Sequence, residues 1–181
     1  DRRKQLMTRL DDLMKANPKS LPLRTYRTKM ALEQGDLDLA GQLCDESLDA
    51  EPKNADFRLL KGILLLARAE RPGTGAQQQM ALYREAKEGL ELLASEYKDS
   101  RPEVHYQLYR AIMGLAEAEY DVATQGLDPK ADAEAYAAAA NRRKGVEGSA
   151  WTALRKAASL GSFEAHYRYA QYLLKQGANQ Q

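Results

Sequence analysis

Few residues in this 181-residue chain could act chemically on a substrate. The chain has two histidines, His105 and His166, and one cysteine, Cys44. An imidazole can serve as acid, base or metal ligand near neutral pH, and a thiolate can serve as a nucleophile. No spacing of His, Asp or Asn supports a catalytic triad around either kind of residue. We therefore predict that the chain is not an enzyme and that it uses no metal and no cofactor.

Three short motifs are similar to ligand sites, but we predict that none of them is one. The Gly73–Gly75 segment is not followed by the Gly-Lys-Ser/Thr of a phosphate-binding loop, so it predicts a flexible loop. The segment Asp121–Gly126 begins like a calcium loop, but Ala123 removes one carboxylate and Asp132 replaces the closing Glu. The basic triplet 142–144 is typical of a solvated helix end rather than a nucleic-acid contact.

The overall composition predicts a helical protein without a nucleic-acid partner. The net charge is +1 with 29% charged residues of both signs interspersed, which gives no electrostatic footprint for DNA, RNA or an anionic membrane. The chain contains only three Val and two Ile. Because sheets are built largely from β-branched and aromatic residues, we expect almost no strand. Apolar runs such as 63–67 are far short of the roughly 20 residues of a membrane helix, so we predict no membrane insertion.

The chain termini and the single cysteine leave the compartment open. The start, Asp1-Arg2-Arg3-Lys4, has neither an initiator Met nor an apolar stretch behind it, so we expect no signal peptide and an excerpt from a longer protein. Cys44 cannot form an intramolecular disulfide, which fits a cytoplasmic location and equally a periplasmic one.

Residues that typically end or cap short helices recur along the chain. Gly35 is predicted to end one helix, and Asp36 is predicted to be the N-cap of the next. Ser20 is a candidate N-cap for the helix that ends at Gly35. The segment Ser100–Glu103 has the pattern of a capping box. Gly148-Ser149 and Gly161-Ser162 each predict a helix boundary.

An offset of 34 residues separates Pro18 from Pro52, and four further pairs share it: Leu23/Phe57, Arg24/Arg58, Tyr26/Leu60 and Met30/Leu64. A 34-residue helix–turn–helix period is the tetratricopeptide length, and the chain resembles that family. Gly35 stands at the family's turn between helices, and Ala40 stands at its closest helix contact. The segment 163–177 is similar to a first helix of the motif, and 150–161 resembles the second helix of the Sel-one-like variant.

The resemblance implies an all-α, right-handed superhelix, a solenoid of antiparallel helix pairs with about 8–9 helices. We expect residues 1–181 to form a single array, with segment 68–85 inserted as an extended helix and a loop, and segment 121–148 inserted around an Ala-rich helix over 131–140. The expected units are 1–19 (second helix only), 20–53, 54–100, 101–161 and 162–181 (first helix only). Since both terminal helices lack their pairs, we favour a slice of a longer array over ends that meet another chain.

In such arrays the first helices line a concave groove that binds a protein segment, and packing between helices uses the remaining positions. The same resemblance places both histidines in bulky packing slots and the cysteine in an apolar slot, so we predict that all three are core residues. The groove positions carried over are Thr25, Lys29, Leu32, Glu33, Asp56, Leu59, Ile63, Leu66, Glu103, Tyr106, Arg110, Met113, Glu164, Tyr167, Gln171, Leu174 and Lys175.

The function that follows is a non-enzymatic scaffold or adaptor that binds a peptide or helix in its groove. The resemblance to mixed tetratricopeptide and Sel-one-like arrays implies part of a larger bacterial protein or envelope assembly. Two alternatives stay open. The chain could self-associate as a structural module through its unpaired terminal helices, or regulate an enzyme whose catalytic domain lies elsewhere.

Overall fold

A computed structural model describes residues 2–178 of the protein, with side chains over 5–175. Within this range the chain is all-α and contains no strand, which confirms the predicted fold class. The described range contains eight helices: α1 (Arg2–Ala16), α2 (Leu21–Gln34), α3 (Leu37–Ala50), α4 (Ala55–Ala69), α5 (Ala76–Glu96), α6 (Pro102–Thr124), α7 (Ala133–Ser159) and α8 (Phe163–Ala178).

The boundary between α2 and α3 lies where the sequence predicts it. Gly35 has φ of 74°, a left-handed conformation that favours glycine, and its N–H donates to the carbonyl of Leu32. The next residue, Asp36, caps α3 because its carboxylate accepts a hydrogen bond from the N–H of Leu39 at 3.1 Å. Two adjacent residues therefore end one helix and begin the next.

The boundary predicted at Gly148-Ser149 is wrong, because α7 continues through it as one helix of 27 residues. Residues 133–140 of the Ala-rich segment and residues 150–159 consequently belong to the same helix, so the Ala-rich segment is not a separate helix. A glycine inside a helix costs about 1 kcal/mol relative to alanine. The long run of alanines and the cooperativity of a long helix offset that cost.

The side-chain caps predicted at two other helix starts are absent. Arg101, not Ser100, occupies the N-cap position of α6, and no side chain caps that helix, so the predicted capping box is wrong. Pro102 at the first helical position fixes the start instead, since its missing N–H would have had no partner in any case. Ser20 does occupy the N-cap position of α2, but its hydroxyl makes no cap hydrogen bond.

Consecutive helices pack against each other from α1 to α8, and α2 also contacts α4, as α4 contacts α6. The helices α2, α4 and α6 therefore form one layer, and α3 and α5 lie in the other. This alternation is the packing of a helical solenoid. Helix α8 reaches the first layer through a hydrogen bond from Nε of Arg168 to the hydroxyl of Tyr106 at 3.0 Å.

The largest apolar core runs from α4 to α8, and two smaller clusters join α2 and α3 to α4. Glycines let the helices of this core approach closely. A Cβ on Gly62 would lie 2.9 Å from a methyl group of Leu90, and a Cβ on Gly114 would lie 2.3 Å from the ring of Tyr83. Tyr83 is buried, so its ring has little room to move away.

We expect Gly114→Ala to destabilise the protein by about 1–3 kcal/mol, because the added methyl group overpacks the contact between α5 and α6. Gly89→Ala is the matched control, since Gly89 lies inside α5 with open space around its Cβ position. The control should stabilise the helix by up to about 1 kcal/mol. Urea unfolding followed by circular dichroism measures both, and equal effects of the two substitutions would contradict the packing described.

Candidate protein-binding groove

A cavity of about 500 Å³ opens between the three helices of the first layer, α2, α4 and α6. The C-terminal half of α2, the N-terminal half of α4 and the first turns of α6 supply its walls. The residues that line it are Lys29, Leu32, Glu33, Asp56, Leu59, Leu60, Ile63, Ser100, Arg101, Pro102, Glu103 and Gln107.

The floor of the cavity is apolar because helical spacing directs one face of α4 towards it. Leu59 and Ile63 are four residues apart and therefore share a face. Leu59 and Leu60 are buried, whereas Ile63 and Leu32 are half-buried and keep part of their surface open to a ligand. An aliphatic floor of this kind accepts an apolar side chain.

The rim of the cavity carries charges of both signs, and one pair is already satisfied within the protein. Nη1 of Arg101 donates to the carboxylate of Asp56 at 2.7 Å, and its guanidinium lies 4.8 Å from the centre of the Tyr97 ring. The remaining charged groups, Lys29, Glu33 and Glu103, are exposed and form no ion pair with any described residue. Two carboxylates and one ammonium group are thus available to a ligand.

A buried amide completes the wall. Gln107 is only 7% exposed, and its side-chain oxygen accepts a hydrogen bond from Nη1 of Arg110 at 2.9 Å. Arginine can only donate, so this contact directs the amide oxygen to Arg110 and leaves the NH₂ group for the cavity. Two further hydrogen bonds, at 2.6 and 2.7 Å, hold the Arg110 guanidinium on the carboxylate of Glu70. The NH₂ group has no acceptor among the described residues.

Several predicted groove positions of the N-terminal half meet in this cavity, whereas Thr25 and Leu66 do not line it. Lys29, Leu59 and Ile63 line it together. Leu66 is fully buried in the core, so its predicted place on the groove surface is wrong. The 34-residue period alone does not predict Gln107, although its four-residue spacing from the predicted Glu103 places both on one helix face.

Three other predicted groove residues of α6, Tyr106, Arg110 and Met113, lie further along that helix and contact other parts of the protein. The hydroxyl of Tyr106 accepts the hydrogen bond from Arg168, and its ring lies 6.4 Å from that of Tyr109. Arg110 is engaged by Glu70, and Met113 packs against the core. None of the three lines the cavity.

The predicted residues of α8 do not line the cavity either. Tyr167, Gln171 and Lys175 are exposed, and none of them is among the residues that line the cavity. The structure therefore separates the predicted set into a cavity at one end of the array and an exposed helix at the other.

The comparisons with known proteins add no relative. No protein-family model, curated protein or solved structure matches the chain. Within the described residues, His, Cys, Asp and Glu form no group of three or more that could hold a metal ion. Over the same residues, none of the helices combines the length and the apolar character needed to cross a membrane.

Two of the three residues that could do chemistry lie in the core, as predicted. Cys44 is fully buried, and burial raises the pKa of its thiol to about 11. His105 is buried, its Nε2 lies 3.1 Å from the carbonyl oxygen of Lys98, and desolvation lowers its pKa. The prediction for His166 is wrong, because this residue of α8 is exposed.

We expect Cys44 to resist alkylation by iodoacetamide at pH 8 while the protein is folded. A pKa of about 11 rather than 9.0 lowers the thiolate fraction by about a hundredfold, and burial excludes the reagent further. Because the folded-state pKa is the higher one, the thiol favours the folded state fully below pH 9 and loses that contribution as the pH rises towards 11. Mass spectrometry after timed labelling measures the rate.

The labelling control is Ser95→Cys, which places a second thiol at an exposed position of α5. This variant should gain one fast label at pH 8 and a second only in urea. Equal labelling rates of the two thiols in the folded protein would show that the site around Cys44 opens readily.

Proposed function

We propose that this protein is a non-enzymatic helical-repeat scaffold of the tetratricopeptide type that binds a segment of another protein in the cavity between α2, α4 and α6. The observation that carries the proposal is that an apolar floor and unsatisfied polar groups of the rim come together from three helices of one layer. A role within a larger bacterial protein or envelope assembly belongs to the same proposal and rests on the repeat resemblance alone.

The size and chemistry of the cavity favour a short amphipathic segment as the ligand. A volume of about 500 Å³ lies within the usual range of ligand pockets and accommodates a few side chains rather than a folded domain. Leucine, isoleucine or phenylalanine on the segment would contact Leu59 and Ile63. Desolvated apolar anchors of this kind supply most of the affinity of such complexes.

The polar groups favour a flanking cation and a backbone contact. Among the described residues that line the cavity, two carboxylates, Glu33 and Glu103, and one ammonium group, Lys29, form no ion pair. The excess of negative charge favours lysine or arginine beside the apolar anchor. The NH₂ group of Gln107 can donate to a backbone carbonyl, and the hydrogen bond from Arg110 fixes its orientation in advance. Because Glu70 in turn holds Arg110, the donor is already ordered before a ligand binds.

A peptide library displayed on phage and selected on the protein tests the proposal. The enriched peptides should carry aliphatic or aromatic anchors flanked by lysine or arginine. Glu33→Lys combined with Glu103→Lys should then weaken binding of a selected peptide by about tenfold or more, measured by fluorescence anisotropy, because each replacement puts like charges together. Neither carboxylate pairs with a described residue, so circular dichroism should stay unchanged.

The matched control reverses two exposed carboxylates outside the first layer, Asp49→Lys on α3 and Glu88→Lys on α5. It alters the net charge equally and should leave the affinity unchanged. If both double variants bind the peptide as the wild type does, the assignment of the cavity is wrong. It is also wrong if the bound peptide slows amide hydrogen exchange only in helices outside the first layer.

A further inference from the structure

One face of α8 is apolar and uncovered. Phe163, Tyr167 and Leu174 are 79%, 61% and 74% exposed. Soluble monomers seldom leave several large apolar side chains side by side in water, and such patches mark interaction sites. The patch lies on the last described helix, away from the cavity of the first layer. A ligand bound in the cavity would therefore not cover it.

Helical geometry separates this face cleanly from the side that packs within the chain. At about 100° per residue, Phe163, Tyr167, Ala170 and Leu174 form one stripe along α8. The opposite side contains Ala165, which is fully buried, and Tyr172, whose ring lies 3.8 Å from that of Trp151. The stripe thus points directly away from α7.

We propose that this stripe binds the same stripe of a second copy, with the two α8 helices antiparallel. This inference goes beyond the proposed function, since it concerns a different surface. Antiparallel pairing about a two-fold axis sets Phe163 opposite the partner's Leu174 and Tyr167 opposite the partner's Ala170. Each large side chain then meets a neighbour that it can pack against, and the tyrosine ring meets a small one.

The charges beside the stripe fit the antiparallel arrangement. Glu164 and Lys175 lie on the same flank of the stripe, are exposed and pair with no other described residue. In an antiparallel pair the equivalent flanks meet, and Glu164 lies within about 3 Å, measured along the axis, of the level of the partner's Lys175. The two-fold axis creates this pair twice. A parallel pairing would place the opposite flank, with His166 and Leu173, beside Glu164 instead.

The apolar area of the stripe is also sufficient for a weak dimer interface. With about 150–250 Å² for a large side chain, the exposed apolar residues of the stripe and the adjoining Leu173 present roughly 500 Å² per copy. Two copies would bury on the order of 1,000 Å² in total, near the lower limit of a specific interface. We therefore expect a reversible dimer with an affinity in the micromolar range.

Sedimentation equilibrium across the micromolar range tests the dimer. The wild-type chain should show a monomer–dimer equilibrium, and Tyr167→Lys should raise the dissociation constant by at least about tenfold, because it buries a charge opposite Ala170. Leu92→Lys is the matched control, since Leu92 is 57% exposed on α5, and it should leave the equilibrium unchanged. A wild-type chain that remains monomeric at every concentration overturns the proposal.

A mixing experiment tests the orientation. Glu164→Lys alone should weaken its own dimer about tenfold, because it places a lysine beside the partner's Lys175. Lys175→Glu alone should weaken its own dimer similarly, because it places a glutamate beside the partner's Glu164. An equimolar mixture of the two variants should form heterodimers as tightly as the wild type, because both ion pairs are present again, one with the native charges and one with the charges exchanged. If the mixture associates no better than either variant alone, the antiparallel α8 interface is wrong. Peptide binding to the cavity, measured separately, is unaffected by either result.

Discussion

Burial of α4 on several sides is the constraint on which the rest of the structure depends. This helix contacts α2, α3, α5 and α6, and its apolar residues fill most of its circumference. A helix of this kind must be surrounded by others. Because α4 lies between α2 and α6 in the first layer, it sets the gap between them, and that gap is the cavity. Gly62 on the same helix lets Leu90 of α5 approach, so the second layer is also positioned against α4.

Ion pairs between helices add little to the stability of the fold. Arg58 pairs with Glu96 and Arg24 with Glu46, each joining two helices. Such partly exposed pairs are worth about 0–1 kcal/mol each, far less than the apolar core. Their consequence lies in the charges that they remove from the surface. Because Arg101 and Asp56 pair with each other, the charged groups left at the cavity rim for a ligand are Lys29, Glu33 and Glu103.

Local signals in the sequence predict local structure well. Gly35 and Asp36 specify a helix boundary because a left-handed residue and an N-cap act within one turn. Gly148 misleads for the same local reason, since its cost is small and the surrounding helix is long. The scarcity of β-branched residues predicts the fold class because it acts over the whole chain.

The positions of side chains around the candidate site follow less directly from the sequence. A repeat period predicts which face of a helix points inwards, and Lys29, Leu59 and Ile63 do meet in one cavity. It does not predict that Leu66 is fully covered, because that depends on the residues that α5 and α6 bring against it. The engagement of Tyr106 by Arg168 likewise depends on where the following helices lie.

The uneven core has a consequence for how the protein opens. The N-terminal helices are held by two small apolar clusters, whereas α4 to α8 share one large core. In a linear array each unit is stabilised mainly by its neighbours, so local unfolding starts where the contacts are fewest. The cavity straddles this division, with α2 on the weaker side and α4 and α6 on the stronger. A ligand bound there would therefore hold α2 in place. Its measured affinity would include the free energy of packing α2 against α4.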